Sequence, residues 1–192
     1  MMLEALYVTK SRIRQDLLAL FFTNPSQRYY LRELERTLGY SAGSIRRELL
    51  KFQKDNLFIT HRVGSLLYYS LNTRHFLFKE LKGIVSKTVG VEGTVRKALS
   101  SFKNIRLAFI YGSFASSREK MTSDIDLMII GQPNTSLLND KIAEMERKLR
   151  REIYPTIYSL QEYRAKKRAG SGFIEELLSA PKIMLIGKED EL

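Results

Sequence analysis

The sequence has no cysteine and no long apolar run among its 192 residues. Without cysteine there can be no disulfide framework and no thiolate metal site. No apolar stretch approaches the roughly 20 residues that cross a bilayer, so we expect no membrane span. The first ten residues also lack the apolar core of a secretory signal. Together these absences favour a protein of the reducing cytoplasm.

Acidic residues are scarce relative to basic ones: 21 against 32, a formal net charge of +11. The imbalance is concentrated in residues 1–90, which hold 15 basic and 7 acidic residues, a net charge of +8. Residues 91–192 hold 17 and 14, a net charge of +3. The first half therefore favours a polyanionic partner, with a merely solubilising surface charge as the alternative.

Apolar periodicity predicts three helices in the first half, over residues 9–22, 31–38 and 42–54. Gly39 ends the second helix and Ser41 is an N-cap candidate for the third. The third helix would bury Ile45, Leu49 and Phe52. Two strands follow, residues 57–63 and 66–71, joined by a Gly-Ser turn that suits a β-hairpin. A fourth helical pattern covers residues 73–89.

Three helices followed by a hairpin, with a short turn between helices two and three, resemble the winged helix-turn-helix family. The resemblance covers about residues 9–75 and implies a domain that binds double-stranded DNA. It implies that the third helix enters the major groove, that the hairpin tip approaches the adjacent backbone or minor groove, and that the residues before helix two contact phosphate. The DNA-binding residues implied in this way are Tyr29, Tyr30, Ser44, Arg46, Arg47, Lys51 and Arg62. Such regulators usually bind as symmetric pairs, so we expect a homodimer.

The second half alternates helical and strand patterns, which indicates an α/β unit with a small sheet. Strands are predicted over residues 105–111, 127–130, 154–160 and 182–186. Helices are predicted over residues 91–99, 134–151 and 161–178, the last broken at residues 170–172. The glycines near residues 88–93 favour a linker there. We therefore predict an α+β protein of two domains, residues 1–90 and 91–192.

A Gly-Ser turn, Gly112-Ser113, follows the first of these strands, and Asp124 and Asp126 precede the second. Side chains alternate along a strand, so the two aspartates lie on one face, opposite Ile125, Leu127 and Ile129. Two carboxylates so close repel each other unless a cation lies between them.

Gly112-Ser113 followed by Ser123, Asp124 and Asp126 resembles the signature of the DNA polymerase β-type nucleotidyltransferases, in particular the minimal nucleotidyltransferases of bacteria and archaea. The resemblance covers about residues 92–187. It implies that Gly112, Ser113 and Ser123 bind the nucleotide, and that Asp124 and Asp126 are catalytic and hold Mg²⁺. A nucleoside triphosphate is then the implied ligand, and transfer of its nucleotidyl group to a hydroxyl is the implied reaction.

Three features depart from that family pattern, one of them being that no strong pocket for the substrate base can be read from the sequence. Ser117 stands where the family usually has glycine. The predicted third strand also lacks the third carboxylate of a two-metal site: Thr156 or Tyr158 occupies the expected face, with Glu152 before the strand and Glu162 after it.

We therefore interpret the protein as a DNA-binding transcriptional regulator whose nucleotidyltransferase-like domain either binds Mg-nucleotide or serves only in dimerisation. One alternative is an active nucleotidyltransferase that modifies a protein, a nucleic acid or a small molecule. Another is an antitoxin-like partner of a small helical toxin, because minimal nucleotidyltransferases often pair with one. The basic segment 161–168 could cover a triphosphate or be a solvated helix face.

Overall fold

The computed structural model describes residues 11–116 and 124–192. The chain separates into two compact units, residues 1–93 and 94–192. Each unit contains helices and one small sheet, so the predicted mixture of α and β structure is confirmed. Every helix in the described part of the chain is too short or too polar to cross a bilayer.

The first unit begins with helix α1 (Arg12–Thr23), strand β1 (Arg28–Tyr30), and helices α2 (Leu31–Leu38) and α3 (Ala42–Lys54). Gly39 ends α2 in the left-handed conformation, with φ of 72°. The hydroxyl of Ser41 accepts a hydrogen bond from the Ser44 amide, which caps α3 as expected. Strand β1 has only three residues and was not expected from the sequence.

The hairpin consists of β2 (Phe58–Val63) and β3 (Leu66–Leu71), and helix α4 (Phe78–Thr88) follows it. Strand β3 lies between β1 and β2, and both pairings are antiparallel. One core holds this unit together, and Phe21, Leu34, Ile45 and Leu49 are each fully buried in it. The three residues that we predicted as the buried stripe of α3 are therefore all in the core.

Helix α5 (Val91–Leu99) spans the boundary between the units. The second unit continues with β4 (Ile105–Tyr111), α6 (Gly112–Ala115), β5 (Ile125–Gly131), α7 (Thr135–Leu149) and β6 (Ile153–Tyr158). Then come α8 (Leu160–Arg168), α9 (Gly172–Ser179), β7 (Ile183–Ile186) and a 3₁₀ turn, Glu189–Glu191. The sheet order is β6-β5-β4-β7, and β5 runs parallel to β6 but antiparallel to β4.

The central strands β4 and β5 are buried on both faces of this sheet. On one face Leu107, Phe109, Met128 and Ile130 pack with buried residues of α8 and α9. On the other face Ile125, Leu127 and Ile129 are fully buried. Asp126 lies on the same face of β5 as Met128 and Ile130, because side chains two residues apart on a strand point the same way. It is the polar residue at the start of that row of side chains.

Candidate functional site

Gly112 and Asp126 are in close contact at the junction of β4, α6 and β5. Gly112 has φ of 72°, a conformation that costs other residues free energy. A Cβ atom at this position would lie closer than 3.0 Å to Oδ2 of Asp126, a separation that real Cβ atoms essentially never show. Glycine is therefore required here for two reasons, the backbone conformation and the space that the carboxylate takes.

Ser113 is exposed in the first turn of α6, directly after that glycine. Tyr111 precedes the helix and makes no side-chain cap. The helix has only four residues, so its dipole contributes little to the site. The turn provides a glycine backbone against the Asp126 carboxylate and an exposed hydroxyl on the next residue. A glycine backbone and a hydroxyl are groups that bind phosphate oxygens.

Asp124 directly precedes β5 and Asp126 lies within it, and the two carboxylates are close enough for their charges to interact. Asp124 is exposed and Asp126 is half-buried. Burial raises the pKa of the Asp126 carboxyl, and the neighbouring negative charge of Asp124 raises it further. The ionised pair is therefore under electrostatic stress that a bound cation would relieve, and carboxylate oxygens are the ligands that Mg²⁺ prefers.

The register of β6 determines which side chains lie beside the aspartates. Tyr154 is paired with Asp126, Thr156 with Met128 and Tyr158 with Ile130. Tyr158, which we considered for the third-carboxylate position, thus lies two rows further into the sheet. The hydroxyl of Thr156 is 3.2 Å from that of Tyr111, so these two residues are hydrogen-bonded to each other. The row beside Asp126 on β6 therefore carries a tyrosine.

The two glutamates that flank β6 have other partners. Glu152 is exposed, and its Oε2 accepts a hydrogen bond of 2.5 Å from the Tyr154 hydroxyl. Glu162 forms a capping box with Ser159 at the start of α8, and the hydrogen bonds from Ser159 lower the pKa of its carboxyl. No group of three potential metal ligands exists among the described residues. Within residues 11–116 and 124–192, the carboxylates at this site fit one divalent cation and do not form a complete two-metal site.

Two predicted positions, Ser117 and Ser123, lie outside the described residues. One contact near the site was not expected: Arg151 is buried, and its guanidinium carbon is 5.8 Å from the ring centre of Phe114. This cation–π contact packs the residue after Ser113 against the segment before β6. Sequence offered no sign of it, because a basic residue at a helix end ordinarily points into solvent.

The predicted DNA-binding residues of α3 share its outer face. Arg46, Arg47 and Lys51 are exposed, and Ser44 is partly exposed and accepts a hydrogen bond from Arg47. Lys51 forms a salt bridge of 2.8 Å with Glu48. Glu48 also binds Arg14 at 2.8 Å, so part of the positive charge of this region is already neutralised.

The remaining predicted residues lie on the strands. Arg62 is exposed near the hairpin tip. Tyr30 is partly exposed, and its hydroxyl accepts a hydrogen bond of 2.8 Å from Arg36. Tyr29 differs from these, because its ring packs against Phe21 of the core with 5.2 Å between centroids. Tyr29 therefore has a packing role in addition to any contact with DNA.

One match to a protein family covers most of the second unit. Residues 94–185 match the family described as "Polymerase beta, Nucleotidyltransferase". The second unit thus carries a polymerase β-like nucleotidyltransferase domain. No curated protein matches the sequence of the chain.

Among solved structures, similarity is found to a crystal structure of a toxin–antitoxin with AMP-PNP, at 14% identity and a TM-score of 0.39, covering 52% of this chain and 76% of the other. A tri-AMPylated Shewanella oneidensis HEPN toxin in complex with MNT antitoxin gives 14% identity and a TM-score of 0.33, covering 52% and 72%. These scores are too low to support an argument, so the domain assignment rests on the family match.

Proposed function

We propose that the second unit binds a nucleoside triphosphate together with one divalent cation. The contact between Gly112 and the Asp126 carboxylate carries this proposal, because it brings a phosphate-compatible turn against a metal-compatible acid. Asp124 and Asp126 would hold Mg²⁺. Gly112 and Ser113 would contact the phosphates, and Ser123 is a further candidate that the sequence motif supplies.

A metal ion in such a site neutralises charge that develops on the phosphates during nucleotidyl transfer. This chain provides two carboxylates for it, and a tyrosine occupies the row on β6 beside Asp126. We therefore propose nucleotide binding as the function of the site. Transfer of the nucleotidyl group to an acceptor hydroxyl is the alternative, and labelling of cell extract with radioactive nucleotides would detect it.

Calorimetric titration of Mg-ATP into the purified protein tests the proposal. The wild type is expected to bind, and the double variant Asp124→Ala, Asp126→Ala is expected to lose binding. Asp140→Ala is the matched control, since it removes an exposed aspartate of α7 outside the site. Equal binding by the wild type and the double variant would mean that these carboxylates do not hold the nucleotide.

We propose DNA binding as the function of the first unit, on a separate observation. The order helix, strand, helix, helix and hairpin, with β1 added beside β3, is typical of winged helix domains. Helix α3 buries Ile45 and Leu49 and presents Arg46 and Arg47 to solvent. An exposed basic helix face above a buried core is what insertion into the major groove requires.

The salt dependence of DNA affinity provides the test. If Arg46 and Arg47 contact phosphates, replacing both with alanine reduces the slope of log affinity against log salt by about 1.8. Replacing Lys79 and Lys87 of α4 instead removes two exposed charges elsewhere in the unit and should leave that slope nearly unchanged. Identical slopes for both double variants would show that α3 is not the DNA-contacting helix.

The oligomeric state and a protein partner stay predictions. Light scattering of the purified protein tests the expected homodimer. The two solved structures reported above contain toxins, but their scores lend no support for this chain, so pairing with a small helical toxin rests on the sequence resemblance alone. Co-purification with the product of a neighbouring gene would test it.

A further inference from the structure

Phe173 is a large, partly exposed apolar side chain close to the strand residues around Asp126. It lies in the first turn of α9 and is 41% exposed. Its ring centre is 6.1 Å from that of Tyr111, and the two planes are inclined by 76°. Tyr111 is the cross-strand partner of Asp126. The partly exposed ring of Phe173 therefore contacts Tyr111, which is paired across the sheet with Asp126.

The packing of α9 does not account for this exposure. Ile174 and Leu177 hold the helix on the sheet, and their exposed fractions are 1% and 3%. Phe173 is partly buried against Tyr111, but the exposed part of its ring forfeits hydrophobic free energy. The exposed part of the ring adds nothing to the core, so it is apolar surface that a ligand could cover.

Tyr111 holds the ring of Phe173 in its orientation. The edge-to-face contact with Tyr111 is a favoured aromatic geometry. The Tyr111 hydroxyl is in turn hydrogen-bonded to Thr156 of β6, so its own ring position is determined at both ends. Phe173 therefore rests on a fixed neighbour while part of its surface stays open to a ligand.

We propose that Phe173 stacks against the base of the nucleotide whose phosphates lie along Gly112 and Ser113. This inference rests on the proposed function of the second unit and extends it by assigning the contact for the base. Every base offers a π-face, so stacking tolerates all of them. We therefore expect the four common nucleoside triphosphates to bind with similar affinities, because a site that contacts only the face of the base does not distinguish among bases.

The test separates the base from the phosphates. Mg-ATP and Mg-tripolyphosphate, which has no base, are titrated calorimetrically into the wild type, Phe173→Leu and Phe173→Tyr. Leucine keeps an apolar side chain but removes the ring, whereas tyrosine keeps the ring. Leu137→Ala serves as the control, because it changes a 58% exposed residue of α7. Thermal unfolding of each variant checks that the unit is intact.

Stacking of a base on an aromatic ring is expected to strengthen binding about 5-fold to 150-fold. Phe173→Leu should therefore weaken Mg-ATP binding by that factor and leave Mg-tripolyphosphate binding unchanged, while Phe173→Tyr and Leu137→Ala bind both as the wild type does. Unchanged ATP binding by Phe173→Leu would overturn the inference. Equal loss of both ligands would also overturn it, because Phe173 would then support the site as a whole.

The same titrations distinguish the stacking contact from the proposed binding of a nucleoside triphosphate with a divalent cation. If the wild type binds tripolyphosphate as tightly as ATP, the base makes no contact and the inference fails, while the phosphate and metal site stands. If the wild type binds neither ligand, the proposed function fails and the stacking contact fails with it.

Discussion

Replacing Gly112 with alanine perturbs the site at its most constrained point. A left-handed backbone conformation costs a non-glycine residue about 1–2 kcal/mol. The new Cβ would also overlap the Asp126 carboxylate, which is already packed against the glycine. Overpacking of this kind typically costs about 1–3 kcal/mol. We therefore expect Gly112→Ala to lower the free energy of unfolding of the second unit by about 2–5 kcal/mol.

A comparison of two backgrounds separates these contributions. In an Asp126→Ala protein the overlapping carboxylate is gone, so the Gly112→Ala change should cost only the backbone term of about 1–2 kcal/mol. Gly39→Ala is the matched control, because Gly39 also has φ of 72° but nothing lies within 4 Å of its added Cβ. Denaturant unfolding followed by circular dichroism gives the free energies, and calorimetry gives Mg-ATP affinity.

The displaced carboxylate should also weaken Mg-ATP binding in Gly112→Ala, while Gly39→Ala should bind as the wild type does. An equal cost of Gly112→Ala in both backgrounds would refute the reasoning, because the Asp126 carboxylate would then not be the obstacle. Wild-type affinity for Mg-ATP in Gly112→Ala would refute it as well.

Three further predictions concern the sheet, a salt bridge and the core. Tyr154→Asp places a third carboxylate beside Asp126, so it should lower the melting temperature in EDTA and tighten Mg²⁺ binding about tenfold. Glu48→Gln should lower the free energy of unfolding at neutral pH by about 1–3 kcal/mol, measured by denaturant unfolding. Burial raises the pKa of Glu48, but the hydrogen bonds from its two basic partners outweigh burial and lower the pKa below its ordinary 4.5. A lowered pKa contributes stability above the ordinary value and loses it as the pH falls through the folded-state pKa, so the difference between wild type and variant should shrink in acid. Leu49→Ala should cost about 2–5 kcal/mol and Leu50→Ala, at a 44% exposed position, far less; equal costs would contradict the assigned face of α3.

The elements of the first unit followed closely from sequence where local signals were strong. Helix α3 has the predicted bounds, because a serine cap and a complete apolar stripe define it locally. Strand β1 was missed because three residues are too few to show an alternating pattern. Its consequence, the packing of Tyr29 against Phe21, depends on pairing with β3 some forty residues later along the chain, which local sequence does not encode.

The candidate site was predictable from local sequence only in part. Two aspartates two residues apart remain neighbours whatever the rest of the fold does, and here Asp124 directly precedes β5, close enough for its charge to act on Asp126. The neighbours on β6 depend on strand register, which sets Tyr154 and not Tyr158 beside Asp126. The exposure of Phe173 next to Tyr111 likewise depends on how α9 lies on the sheet, which is a tertiary contact.

The metal-dependent nucleotide site is tested most directly by calorimetric titration of ATP into the wild-type protein, once with Mg²⁺ and once with EDTA. We expect saturable binding that needs the divalent cation, because Asp124 and Asp126 repel the phosphates unless a cation lies between them. Binding of equal strength in EDTA, or no binding under either condition, would contradict it.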